Sequence, residues 1–125
     1  MIHLDTNYVV RGLMYGTSEQ AALDGWLASA IPLAVSAPAW AEFLCGPVTE
    51  RQEATAAEAL GKPIPLDGPA AALAAELYNH AGRRRGSLVD CMIAAVAIQH
   101  KAQLATANVA DFGRFATFGL VVVTG

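Results

Sequence analysis

The sequence predicts an α/β fold: one domain over residues 1–125, with a central, mostly parallel sheet of four or five strands between layers of helices. Three observations carry that expectation. Short apolar runs alternate with longer segments of helical character, the pattern of strands joined by crossover helices. Cap and turn residues mark almost every junction. The 54% hydrophobic content, in 125 residues, is enough for a genuine core, and its alanine bias favours closely packed helices.

The first apolar run, Met1-Ile2-His3-Leu4, leads straight into Asp5, Thr6 and Asn7. It reads as a buried strand whose final residue, Asp5, emerges at the sheet's edge. Thr6 or Asn7 then caps a helix from Tyr8 to about Tyr15, stopped by Gly16. Thr17-Ser18-Glu19-Gln20 has the spacing of a capping box and opens a helix to about Ser29. Leu33-Ala34-Val35 is a short buried strand. Ser36 and Pro38 start a helix that carries Glu42 and ends at Gly46-Pro47. Thr49-Glu50-Arg51-Gln52 is a second capping box, opening a helix to Leu60 with Gly61 as its stop. Ile64-Pro65-Leu66 is an edge strand or an extended link, because its prolines cannot donate to a ladder.

Asp67-Gly68-Pro69 caps a long helix to about Gly82. Beyond the charge run Arg83-Arg84-Arg85-Gly86, Ser87-Leu88-Val89-Asp90 forms a third capping-box pattern with Asp in the Glu place. It opens an apolar helix to about His100. Gln103 to Ala107 and Leu120 to Val123 are the last strands, with a loop or short helical turn from Asn108 to Phe115 between them.

Carboxylates are almost never fully buried unless they are paired or bound to a metal. Of the eleven acids, Glu19, Asp24, Glu50, Glu53, Glu58, Asp67 and Glu76 lie in polar or helix-surface contexts. The other four stand alone. Asp5 is the only charged side chain between Met1 and Val10, Glu42 the only one from Gly25 to Thr49, and Asp90 the only one from Gly86 to His100. Asp111 follows the uncharged run from Ala102 to Ala110. Each lies after a strand or near the start of a helix, positions that meet at the carboxyl edge of a parallel sheet, where ligands bind. Four lone acids predict one shared site.

Clustered carboxylates repel one another and call for a cation, and hard oxygen donors select Mg²⁺ or Mn²⁺. Such ions generate a nucleophilic hydroxide and steady the leaving oxygen of an in-line phosphoryl displacement. With no Ser-His-Asp or Cys-His pattern and no phosphate loop in the chain, phosphodiester hydrolysis is the expected reaction.

The stretches His3-Leu4-Asp5-Thr6-Asn7, the isolated Glu42, Ser87-Leu88-Val89-Asp90-Cys91-Met92-Ile93-Ala94-Ala95, and Thr106-Ala107-Asn108-Val109-Ala110-Asp111-Phe112 together resemble the PIN-domain ribonucleases. The likeness is greatest to the VapC toxins of toxin–antitoxin pairs, and order and spacing match along nearly the whole chain. The resemblance implies Mg²⁺- or Mn²⁺-dependent cleavage of RNA, a homodimer, and inhibition by a cognate antitoxin. It places Asp5, Glu42 and Asp90 at the metal, with Thr6, Asn7 and Thr106 supporting them or orienting water. Family members carry an acid at either of two places near the fourth position. Here these are Asn108 and Asp111; Asp111 is the expected charged member and Asn108 a polar helper. An acidic pocket of this kind invites a basic residue of the antitoxin.

The blander readings stand beside these. Asp5 could simply cap the helix after it, Glu42 could pair with an arginine, and Ser87-x-x-Asp90 could be capping chemistry alone. Arg83, Arg84 and Arg85 are either a phosphate clamp or a cationic helix end that complements the dipole. His3 is expected to be a packed strand residue. A haloacid-dehalogenase-like phosphatase also puts an Asp after its first strand, but wants a second Asp where this chain has Asn7. A silent PIN-like module that binds only RNA or a partner is the other alternative. The net charge of −3 gives no global attraction for nucleic acid, so an RNA must be held locally. Cys45 and Cys91 lack metal spacing, and reduced thiols are expected, with one disulfide as the alternative. With no basic leader, and with the longest charge-free run broken by Pro32 and Pro38, a cytoplasmic protein without membrane association is expected.

Overall fold

In the computed structural model, which describes residues 1–125, the chain runs β1 (Ile2–Leu4), α1 (Thr6–Gly12), α2 (Ser18–Ala28), β2 (Leu33–Ala34), α3 (Ala37–Cys45) and α4 (Glu50–Leu60). It continues through α5 (Gly68–His80), α6 (Leu88–Gln99), β3 (Gln103–Ala105), α7 (Val109–Gly113), a 3₁₀ turn at Ala116–Phe118 and β4 (Val121–Val123). The strands form one parallel sheet in the order β2-β1-β3-β4. His3 pairs with Ala34 on one side and Leu104 on the other, and Leu104 pairs with Val122. The segment around Ile64 adds only a bridge to Ser36, consistent with Pro63 and Pro65 on either side of it. The sheet therefore has four strands.

The chain leaves β1 for β2 and later returns past β1 to β3. This reversal opens a crevice at the carboxyl end of β1, and Asp5 is the next residue. Successive strand residues point to opposite faces. Leu4 and Leu33 meet residues of α1, α2 and α4 around an apolar cleft of about 240 Å³. His3 lies against His100 at the end of α6, with ring centres 5.8 Å apart, and α6 packs on α5. Helices thus cover both faces. Cys91 and the run Ile93 to Ala97 of α6 are buried, which explains a helix apolar all round rather than along one stripe. No helix is long and apolar enough to cross a membrane.

Several local expectations are corrected. Asp5, not Thr6 or Asn7, caps α1: its Oδ1 accepts from the Thr6 amide at 2.7 Å, so the helix starts at Thr6 and stops at Gly12, before Gly16. The Thr49–Gln52 box closes in both directions. At Thr17 only half of it forms, because Gln20 Oε1 accepts from Gly16 N rather than from Thr17. At Ser87 there is no box. Ser87 has helical dihedrals (φ −98°, ψ −1°), and its hydroxyl donates to Arg84 O at 2.7 Å. An N-cap needs extended dihedrals to aim its oxygen at the first turn. Helix α5 stops at His80 because Gly82 and Arg83 turn left-handed (φ 82° and 55°). Glu19 is buried rather than on a helix surface, in an ion pair of 3.1 Å with Arg11.

Leu104, in the middle of β3, is fully buried among the core residues. Leu104→Ala is expected to cost about 2–5 kcal/mol in urea unfolding, from lost transfer energy and the cavity left behind. A smaller change would mean that the sheet collapses into the space.

Candidate active site

Asp5 is 6% exposed at the end of β1. Its amide donates to Ala105 O of β3 at 3.0 Å, which fixes the residue in register with the sheet. Oδ1 takes the Thr6 amide, and Oδ2 takes the Thr106 hydroxyl at 2.8 Å. Thr106 Oγ1 in turn accepts from Asn108 N at 3.0 Å. Burial raises the Asp5 pKa, the bonds from Thr106 and Thr6 oppose the rise, and the Glu42 charge adds to it. Glu42 reaches in from α3, where Oε1 accepts the Thr6 hydroxyl at 2.6 Å. Thr6 therefore bonds both acids, one through its amide and one through its side chain.

Asp90 sits half-buried in the first turn of α6 and accepts no side-chain or cap hydrogen bond. Its pKa is pushed up to about 6 by burial first, then by the charges on Asp5, Glu42 and Asp111, with Arg114 opposing. Three of the four predicted acids thus act on one another without a counter-charge bonded to any of them. The capping reading of Asp90 fails with the missing Ser87 box, whereas the capping reading of Asp5 holds alongside its place in the cluster.

Asp111 is engaged differently. Arg84 Nη1 and Nη2 donate to its two oxygens, each at 3.0 Å, and Asn108 Nδ2 donates to Oδ2 at 2.9 Å. These bonds hold its carboxyl well below the usual range. Arg83 Nη1 donates to Asn79 Oδ1 at 3.0 Å, while the exposed Arg85 makes no such bond. Arg114 was not singled out in the sequence. Its guanidinium stands 4.7 Å from the centre of the Phe115 ring, with Nε and Nη2 buried and unbonded, and its charge reaches Asp90 and Asp111. No periodicity signals such a residue. Its position depends on where α7 ends relative to α6.

Both cysteines are free, and burial above all raises the Cys91 thiol pKa, so it is no nucleophile. His3 is buried with both ring nitrogens unbonded; burial, His100 and the N-terminus lower its pKa to about 4, so it is a neutral packing residue.

The sequence model of the PIN domain matches residues 2–117. The chain belongs to the PIN domain family. Among solved structures it is similar to FitAcB from Neisseria gonorrhoeae (26% identity, 99% of this chain and 97% of that one, TM-score 0.72). It is also similar to a toxin–antitoxin complex from Klebsiella pneumoniae (28% identity, 99% and 97%, TM-score 0.72). VapBC2 from Rickettsia felis, bound to a DNA fragment from its promoter, shares the fold at 23% identity (98% of each chain, TM-score 0.75). No curated protein matches.

In this PIN domain the donor set suits a hard divalent ion: all oxygens, a carboxylate surplus, and one acid, Asp90, with no hydrogen bond to give up. As the side chains stand, no three of them converge on one ligating point. Beside them a cleft of about 370 Å³ is lined by Thr6, Asn7, Val10, Met14, Glu42 and Gln52, among others.

The pKa of Asp90 sets a pH test. Raised from 3.8 to about 6, it makes the native state bind more protons than the unfolded chain between those values. The stability of the metal-free protein attributable to Asp90 therefore falls as pH rises from about 4 to about 6 and stays lower above. Asp90→Asn is expected to gain about 1–2 kcal/mol at pH 7 and almost nothing near pH 4, after discounting the full shift for Asp90's solvent contact. Urea unfolding with chelator at both pH values measures this. A loss at pH 7 would make Asp90 a structural residue.

Proposed function

We propose that the chain, as one PIN-like domain over residues 1–125, is a VapC-type toxin: a cytoplasmic, metal-dependent endoribonuclease restrained by an antitoxin. The observation that carries this reading is the gathering of Asp5, Glu42 and Asp90 at the end of β1 in a PIN domain, where burial first and the charges on Asp5 and Glu42 next lift Asp90 to about 6. The Klebsiella pneumoniae relative, solved as a toxin–antitoxin complex, supports the biological setting. The family match removes the dehalogenase-like alternative, which belongs to another fold, and Asn7 stands where that chemistry needs an acid.

Asp5, Glu42, Asp90 and Asp111 are assigned to hold Mg²⁺ or Mn²⁺. When bound, the ion supplies Lewis-acid chemistry, activating water and steadying the leaving oxygen of RNA. Hydrogen bonds from Thr106 and Thr6 favour the charged form of Asp5 and aim it, and Thr6 restrains Glu42. Asn7, exposed on the cleft beside Glu42, is placed to orient a water or the sugar-phosphate chain. Asn108 orients Asp111. Arg83, Arg84 and Arg85 supply the local cations an acidic protein needs to hold a polyanion. A second copy of the chain is assigned to the shallow apolar surface of Pro38, Ala41, Cys45, Val89 and Met92 between α3 and α6.

Asp5→Asn or Asp90→Asn is expected to lower metal-dependent RNA cleavage by at least about a hundredfold with the fold retained. Even residues that only support metal ligands cost 10- to 100-fold when changed. Undiminished cleavage by either variant would refute the enzyme. No cleavage by the unaltered chain with either metal would favour the silent module.

For the antitoxin, the apolar cleft between α1, α2 and α4 is the expected seat of a hydrophobic segment, with an Arg or Lys reaching the acids. Cross-linking from Gln20 and Thr55 on the rim of that cleft to a bound antitoxin would support this arrangement. Contacts confined to the α5 side would overturn it.

A further inference from the structure

The arginine run has one member built into the site and held by an exchangeable bond. Arg84 lies in the turn between α5 and α6, where Gly82, Arg83 and Gly86 all have left-handed dihedrals. Its carbonyl is tied down twice, by Ser87 N at 3.1 Å and by the Ser87 hydroxyl at 2.7 Å, and Ser87 itself is buried. The backbone is thus fixed while the side chain reaches across 27 positions of sequence to fork onto both oxygens of Asp111. The pair is open to solvent: Arg84's side chain is 51% exposed and that of Asp111 31%. Exposed ion pairs contribute little net stability, so either partner can change hands without opening the core. Both also stand close enough to Asp90 to act on its charge.

We propose that Arg84 is an exchangeable counter-ion for Asp111, which passes from the guanidinium to the divalent ion as Arg84 passes to the phosphate of the RNA. The inference rests on the metal site assigned above. A divalent charge attracts the Asp111 carboxylate twice as strongly as a guanidinium at equal distance and repels Arg84. The released guanidinium keeps its planar fork, which suits a phosphate as well as it suited the carboxylate. Metal uptake and phosphate binding are then coupled through one bond, and each must strengthen the other by the same factor. The antitoxin's basic residue would have a counterpart inside the chain itself.

The test is a double-mutant cycle read by Mn²⁺ titration calorimetry on the intact chain without RNA. Arg84→Gln is expected to bind Mn²⁺ about two- to fivefold more tightly than the unaltered protein, the scale of an exposed pair. In an Asp111→Asn background the same change is expected to have no effect, because the counter-ion has nothing left to hold. Equal tightening in both backgrounds would reduce Arg84 to a general field effect and overturn the proposal, as would no tightening at all. The phosphate arm uses a phosphorothioate single-stranded oligonucleotide. A fixed low level of Mn²⁺ should steepen the salt dependence of its binding by about 0.7 in log–log slope, one phosphate contact, and should not do so in Arg84→Gln. An equal change in both proteins would also overturn the exchange. Mn²⁺ binding that Asp90→Asn leaves intact would overturn the metal site itself, and this inference with it. Unlike the other outcomes, that one does not depend on Arg84.

Discussion

Everything at the carboxyl edge of this sheet depends on burying one carboxylate. Asp5 is almost inaccessible, and a buried carboxylate survives as an anion only if hydrogen bonds replace its lost water. Two neighbouring segments supply what is needed. The Thr6 amide comes from the start of α1, the Thr106 hydroxyl from just beyond β3, and the Ala105 carbonyl fixes Asp5's own amide. The Asn108 amide then donates to the same Thr106 oxygen and polarises it further. Satisfying Asp5 therefore fixes the start of α1, the β1–β3 register and the exit from β3 at once.

That solution leaves a surplus of negative charge. Thr6 holds the exposed Glu42 close to Asp5, and Asp90 enters from α6 with no hydrogen bond of its own. In the metal-free state this arrangement opposes stability, as sites shaped for function commonly do. Asp111 is the exception, since Arg84 pairs with it and Asn108 donates to it. The cluster thus divides into Asp5 and Glu42, held by neutral donors, Asp90, held by none, and Asp111, held by a cation.

Local signals in the sequence were enough for the elements and for the candidate acids. Apolar runs and cap residues located all four strands and the long helices, and isolation in apolar surroundings singled out Asp5, Glu42, Asp90 and Asp111. What failed was whatever depends on backbone dihedrals or on distant pairing. Ser87-x-x-Asp90 has the letters of a capping box, but Gly86 delivers Ser87 with helical dihedrals, so its hydroxyl turns back to Arg84. Glu19 has the letters of a helix surface, but it is buried and pairs with Arg11 in the last turn of α1. Arg114 and the fork between Arg84 and Asp111 depend on how α7 sits against the α5–α6 turn, which no local pattern encodes.

The same placement eases the conflict between the chain's charge and the RNA substrate proposed for it. A chain of net charge −3 with an acidic site repels a polyanion at long range, and the screening length of about 8 Å at physiological salt confines that repulsion to near contact. Of the eight Lys and Arg residues, four are Arg83, Arg84, Arg85 and Arg114, in the α5–α6 turn and at the end of α7. Arg84 and Arg114 lie within the field of Asp90. Within a screening length of the carboxylates an approaching phosphate therefore meets guanidinium groups as well as anions. Arg83, Arg84 and Arg85 are exposed arginines, which offer a phosphate two parallel donors where lysine offers a point charge, whereas Arg114 has Nε and Nη2 buried. For the proposed RNA substrate, the overall acidity of the molecule would disfavour nonspecific nucleic acid, while this local cationic edge would supply the contact that the acids alone forbid.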